Sequence, residues 1–214
     1  MPSLDTSLYF LAVSLAIGFA PGPDNLFVLV QSAAHGRGAG MRVVLGLCTG
    51  IVVHTLAVAL GLAAVVAASA TAFDLLKLAG CAYLLYLAWV AWRSTRRAPG
   101  DAPPAPDGAL TALAPLHMYA RGVVMNLTNP KVILFFAAFL PQFVDAARGP
   151  VALQVAWFGL LFVIATILSF GTISWFAAAA GARLLRSPRV RRALGRIEAL
   201  VFAGLAVRLA LEKA

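Results

Sequence analysis

Charge is scarce in this chain: Lys, Arg, Asp and Glu make up 12% of its 214 residues, about half the share of an ordinary soluble domain. So few ionised groups cannot cover a globule, and a soluble fold is excluded on that ground. Cysteine is limited to Cys48 and Cys81, both inside apolar runs, which excludes a disulfide framework and a cysteine zinc site. The three histidines, His35, His54 and His117, fall in different segments. No His-Glu-x-x-His or Gly-x-Ser-x-Gly is present, so nothing points to hydrolytic or metal chemistry, and an enzyme is not expected. The glycine-rich Gly36 to Gly40 lacks the closing Gly-Lys-Ser/Thr of a phosphate-binding loop, so no nucleotide and no other cofactor is expected. Acidic residues number 8 against 17 basic ones. In a membrane chain the positive-inside rule produces that excess, so nucleic acid is not an expected partner.

What is abundant is apolar surface, with 62% hydrophobic residues and a mean hydropathy of +0.90. A spanning helix takes roughly 20 apolar residues, and the pattern predicts six. Residues 4–34 form a first span, interrupted at Ala20-Pro21-Gly22-Pro23-Asp24-Asn25. No basic segment precedes this run and no small-residue cleavage site follows, so it reads as a retained span, not a signal peptide. Gly36-Arg37-Gly38-Ala39-Gly40 reads as a turn before a second span over 41–68, and 73–92 gives a third, ending in the interfacial pair Trp89 and Trp92. Residues 93–117, rich in Arg and Pro, form a linker. A fourth span over 118–144 is interrupted at Asn126-Leu-Thr-Asn129-Pro130-Lys131, a fifth covers 151–180, and a shorter sixth covers 193–211. The expectation is one all-α integral membrane domain over 1–214.

Orientation follows from the basic residues. Arg37, Arg42, Arg93, Arg96, Arg97, Arg121 and the six arginines from Arg183 to Arg196 fall on one side, and only Lys77, Arg148, Arg208 and Lys213 on the other. The rich side is cytoplasmic, which puts both termini outside. The Arg183 to Arg196 cluster is expected to touch anionic lipids.

Residues 1–92 and 118–214 then form inverted three-span repeats, each opening with a broken span, with Pro23 and Pro130 at equivalent points. Inverted repeats with matched breaks point to a secondary transporter whose site lies where the breaks meet. Proline removes a backbone donor, and the opened backbone is tolerated at this depth only around a polar cavity or inside protein. Pro21, Gly22, Pro23 and Pro130 are the expected hinges. Directly after the two matched prolines stand Asp24 and Lys131. Ionisable groups at this depth mark function or a pair. Asp24 is expected to hold an ammonium group, Lys131 with Asn129 a carboxylate, and Asn25 and Asn126 to add neutral hydrogen bonds. His54 follows Gly46 and Gly50 at intervals of four on one helix face and, with Asp24, is a candidate proton relay. Small residues at that spacing serve either packing within the chain or a homodimer.

These stretches also carry a resemblance. Pro21-Gly22-Pro23-Asp24-Asn25, Gly36 to Gly40, Gly46-x-x-x-Gly50, Lys77-Leu-Ala-Gly80-Cys-Ala-Tyr83-Leu-Leu-Tyr86-Leu, and Asn126-Leu-Thr-Asn129-Pro130-Lys131 running into Phe139-Leu-Pro141-Gln142-Phe143 resemble, in order, the LysE-type amino-acid exporters, a group that includes threonine and homoserine-lactone efflux proteins. The resemblance implies export of amino acids or derivatives across the bacterial inner membrane, driven by proton antiport. Two other readings compete: a divalent-cation exporter built on Asp24 and the freed carbonyls, and a thiol-electron carrier using Cys48 and Cys81. A single carboxylate beside a lysine suits a divalent cation poorly, and both cysteines lie in the same repeat.

Overall fold

A computed structural model describes residues 1–20, 22–68 and 114–180, with separate helical positions between Leu78 and Arg93 and between Arg196 and Val207. Most of the expected third and sixth spans, the linker from residue 94 to 113, Pro21, Cys81 and the arginines from Arg183 to Arg192 lie outside the described residues. Within them the fold is all helix, with no strand.

Helix α1 (Leu4–Phe19) starts at Ser3, whose hydroxyl caps the Thr6 amide at 3.3 Å. Helix α2 (Pro23–His35) follows after a bend of 64°, and α3 (Arg37–Ala68) follows it directly. Helix α4 (Pro115–Thr128) meets α5 (Pro130–Leu134) at Asn129, and α4 bends by 52° against the helical run Pro130–Phe143. That run widens into a π-turn over Phe135–Phe139, then tightens into a 3-10 turn over Leu140–Phe143. Pro141 explains the widening, because its ring crowds the carbonyl four residues back and a straight α-helix cannot accommodate it. Helix α6 (Val151–Ala180) closes the described part over the residues expected from the sequence. Arg37–Gly61 and Val151–Ala178 are each long and apolar enough to cross a membrane, and each bent pair can count as one further span.

Two boundaries differ from the sequence expectation. Gly36 alone makes the turn, at φ 84, a backbone region that suits glycine. Arg37 to Gly40 already belong to α3. Gly40 is helical because it packs on the hydroxyls of Ser32 and Ser174, leaving no room for a Cβ. The linker also ends earlier than expected: Pro115 sits in the first turn of α4, where its missing N–H costs nothing.

Helix α3 packs along α4 and α6, and α6 also packs along α1 and α2. The packing divides into two apolar clusters. Phe10, Phe135, Phe139, Phe143, Phe158 and Phe162 dominate one, with ring centroids 4.7 Å apart for Phe10–Phe158 and 4.9 Å for Phe135–Phe162. Phe27, Val43, Leu47, Phe170 and Ile173 dominate the other. On α6 the buried Thr166 and Ser169 lie between Phe162 of the first cluster and Phe170 of the second. On α1 and α2 the break itself separates Ile17 from Phe27. Both breaks therefore fall in a polar belt between apolar layers.

Small residues let the helices approach closely around this belt. Gly46 of α3 meets Gly122 of α4 with no space for a side chain on either, which is the packing mode that drives helix association in lipid. The Gly46 and Gly50 face is thus used inside the chain, against α4. Gly18 rests on Ser169 and Gly159 on Thr55. Those hydroxyls donate to carbonyls of their own helices, Ser169 to Ala165 at 2.7 Å and Thr55 to Ile51 at 2.8 Å, and leave neighbouring backbones undisturbed.

Pro23 and Pro130 both stand in the first turn of the helix that follows the break. They start helices that other residues have already interrupted. Pro130→Ala is therefore expected to lower thermal stability in detergent by less than about 1 kcal/mol, because proline at this position forfeits no helical hydrogen bond. A loss as large as that of an interior helix break would contradict this placement.

Candidate substrate site at the two helix breaks

Gly22 leads into α2 in an extended conformation (φ −154, ψ 176). Asp24 follows in the first turn of α2 with only 4% of its surface exposed. An acidic group is favoured at a helix N-terminus, although burying a charge at this depth is costly unless it is well partnered. One oxygen is partnered: Asp24 Oδ2 accepts from Asn129 Nδ2 at 2.7 Å. The other, Oδ1, is buried without a hydrogen-bond partner among the described residues. The carboxylate is held in place while half of its accepting capacity is unspent.

The second break supplies the partners of the first. Asn129 lies in extended backbone between α4 and α5, and its Oδ1 caps the Lys131 amide at 3.0 Å. Both ends of its side chain are thus engaged by the protein, one by Asp24 and one by its own helix start. The sequence assigns Asn129 to a substrate carboxylate; here it positions Asp24. Lys131 Nζ donates to the Ala20 carbonyl at 3.3 Å, a C-terminal acceptor that α1 leaves unpaired at its end. Asp24 and Lys131 also interact electrostatically. The two breaks therefore interlock crosswise, Asp24 with Asn129 and Ala20 with Lys131.

Asn25 turns back on its own break, donating from Nδ2 to the Gly18 carbonyl at 2.7 Å. Asn126 is buried in the last turn of α4 against Gly50, whose missing side chain makes room for it. Its Oδ1 is a second buried acceptor with no partner among the described residues. His54 lies one turn beyond Gly50, with Nε2 3.4 Å from the Asn126 carbonyl and its ring 5.7 Å from that of Phe136. The structure thus brings Gly22, Asp24, Asn25, Asn129 and Lys131 together at the interlocked breaks, with Asn126 and His54 beside the second. Pro23 and Pro130 frame the site as helix starts, and Pro21 lies outside the described residues.

Sequence reading missed two features. Gln31 is fully buried two turns along α2 from Asp24; an amide seven residues on, and therefore on the same face, was the available signal. Arg121, counted only among the topology charges, is half-buried, with its guanidinium 5.1 Å from the centre of the Phe27 ring. No pattern in the sequence announces that stack.

Apolar helices of spanning length around a buried polar seam define a multi-pass membrane protein. The chain matches the LysE type translocator family over residues 15–213 and belongs to that family. It is 31% identical over 211 residues to a leucine efflux protein of Klebsiella pneumoniae, covering 95% of this chain and 93% of that one. Over 195 residues it is 30% identical to a homoserine/homoserine lactone efflux protein of Salmonella typhimurium, 87% of each chain. An uncharacterized membrane protein of Vibrio cholerae is 31% identical over 217 residues, 97% of each. No solved structure matches it.

Proposed function

We propose that this protein is a secondary transporter that exports amino acids or amino-acid derivatives from the bacterial cytoplasm in exchange for protons. The observation that carries this reading is the half-satisfied carboxylate of Asp24, buried at a helix break with Lys131 close by. An ammonium group needs such a buried acceptor, and a carboxylate needs such a cation. Family membership and the efflux named for two full-length relatives agree with it.

In this mechanism Asp24 takes a proton from outside and releases it inward, where the substrate ammonium replaces it on Oδ1. Lys131 leaves the Ala20 carbonyl to hold the substrate carboxylate, and Asn25 and Asn126 add neutral contacts. His54, beside the Asn126 carbonyl, is the relay between Asp24 and the outer face. The two repeats rock about the interlocked breaks, which alternates access. The protein sits in the inner membrane with both termini outside and the 93–117 linker inside, its basic cluster on anionic lipid.

Efflux from cells or inverted vesicles preloaded with a labelled amino-acid panel tests this reading. Transport of one or a few amino acids, abolished by a protonophore, is expected; a flat panel would remove it. A divalent-cation exporter has less behind it, because Asp24 is bonded to an amide and shares its site with an ammonium group. Among the described residues no three His, Cys, Asp or Glu side chains gather to bind a metal. Cys48 is buried in the second apolar cluster and Cys81 lies outside the described residues, which leaves the thiol-carrier reading without support.

A further inference from the structure

Helices α3 and α6 bring an arginine and a tryptophan together where their spanning stretches end. Arg37 is the first residue of the stretch Arg37–Gly61, and Trp175 stands close to the end of the stretch Val151–Ala178. The guanidinium carbon of Arg37 lies 3.6 Å from the centre of the Trp175 ring, where the negative face of the ring attracts the cation. Both side chains are exposed, Trp175 by 58%. Leu168 and Phe176 are exposed on the same helix, so this side of α6 meets acyl chains, and the tryptophan marks their boundary with the head groups. Arg37 is fastened through its backbone: Ser174 donates to its carbonyl at 3.3 Å and accepts from Ser32 of α2 at 2.9 Å. Its guanidinium makes no hydrogen bond or ion pair with another described residue. Of the acidic residues described, Asp24 is buried at the break. Asp5 in the first turn of α1 and Asp145 ahead of α6 lie at the opposite end, where the Met1 amine donates to the Arg148 carbonyl at 2.7 Å.

We propose that Arg37 and Trp175 form a binding site for the head group of an anionic phospholipid. A guanidinium stacked on a ring keeps its N–H donors free in its own plane, and two parallel donors match two oxygens of a phosphate. The indole removes water from one face of the cation, and its apolar body lies along the first carbons of an acyl chain. A zwitterionic head group brings a cation of its own, which Arg37 repels and no described carboxylate at this end receives, so the site selects an anionic lipid. Arg42, exposed on the same helix, adds positive field without a ring beneath it. Through Ser174 and Ser32 the bound lipid braces α3 and α6 against α2, the helix that carries Asp24. The site stands independently of the export reading; only the name of its leaflet, the cytoplasmic one, rests on the orientation proposed above.

Tryptophan quenching by brominated lipid tests this on the full-length protein in phosphatidylcholine bilayers that hold a small share of brominated phosphatidylglycerol or, in parallel, of brominated phosphatidylcholine. The part of the quenching that disappears in Trp175→Phe reports lipid at this position. Wild type is expected to favour phosphatidylglycerol there by about fivefold or more, the scale of one basic side chain at a charged surface. Arg37→Gln is expected to bring the ratio close to one, and Arg42→Gln to keep most of it. Arg37→Lys keeps the charge and hence the topology, but not the fork or the stack; it is expected to retain less than half of the preference, and it decides the matter if Arg37→Gln fails to insert. Wild type without a preference would overturn the site, as would a full preference in Arg37→Gln or Arg37→Lys. A loss in Arg42→Gln equal to that in Arg37→Gln would overturn it too, because a diffuse positive surface then explains the lipid.

Discussion

Asp24→Asn is expected to abolish export, by two orders of magnitude or more, while the protein still inserts and folds. The substitution keeps shape and keeps the contact to Asn129, because the new amide oxygen can accept from Asn129 Nδ2 as Oδ2 does at 2.7 Å. What it removes is the charge and the ability to take up a proton. Oδ1 of Asp24 finds no partner among the described residues, so no hydrogen bond of the resting protein is lost by neutralising it. Removing one member of a buried charge pair normally costs about 3–5 kcal/mol by leaving the other uncompensated. Lys131, however, already donates to the Ala20 carbonyl, and that contact survives. Transport rate and melting temperature measured on the same preparation separate the alternatives: lost transport with retained melting fits a carrier site. Lost melting with proportionate transport would make Asp24 a structural residue.

Gly46→Leu is expected to prevent assembly of the folded protein. A Cβ at Gly46 would lie 2.8 Å from the Val123 amide nitrogen and 2.9 Å from the Gly122 Cα, and closer still to the Tyr119 carbonyl. All three are backbone atoms that cannot rotate away, so α3 and α4 have to separate. Overpacking a well-packed core by one or two methylenes costs about 1–3 kcal/mol; a leucine at a glycine–glycine crossing exceeds that range. Separation also withdraws Gly50 from Asn126 and His54 from the second break, so partial folding still disables the site. Gly61→Leu on the same helix is the control, because nothing lies within 4 Å of its Cβ position. Monodisperse protein yield in detergent reads the result, and a well-folded Gly46→Leu would contradict the crossing described for α3 and α4.

The breaks were legible because they interrupt composition: proline, glycine, asparagine and ionised residues stand out in an apolar run, and both fall where the sequence places them. Helix α6 was legible over its whole length for the same reason, an unbroken apolar stretch. The start of α3 was not. Gly38 and Gly40 read as turn residues by propensity, and the close fit of Gly40 against Ser32 and Ser174, the latter on a helix far along the chain, is invisible in the local sequence. Nor was the crosswise bonding of the site legible. Pairing opposite charges by position puts Asp24 near Lys131, where the two do interact, but it does not show that Asp24 accepts from Asn129 and that Lys131 donates to a helix-end carbonyl. Hydrogen-bond geometry across two breaks depends on their approach angle, which spacing does not encode. The stacking of Arg121 over Phe27 was not legible either, because a chain apolar on most faces shows no periodicity to mark which side of α4 faces α2.

Proton movement in proteoliposomes under an imposed gradient of the transported amino acid is the measurement that meets the central claim most directly. With a pH-sensitive dye inside and wild-type protein in the membrane, protons are expected to move opposite to the amino acid, and Asp24→Asn is expected to move neither. Amino-acid flux in wild type without proton movement, or proton movement unchanged in Asp24→Asn, would contradict exchange of a proton for an ammonium group at Asp24.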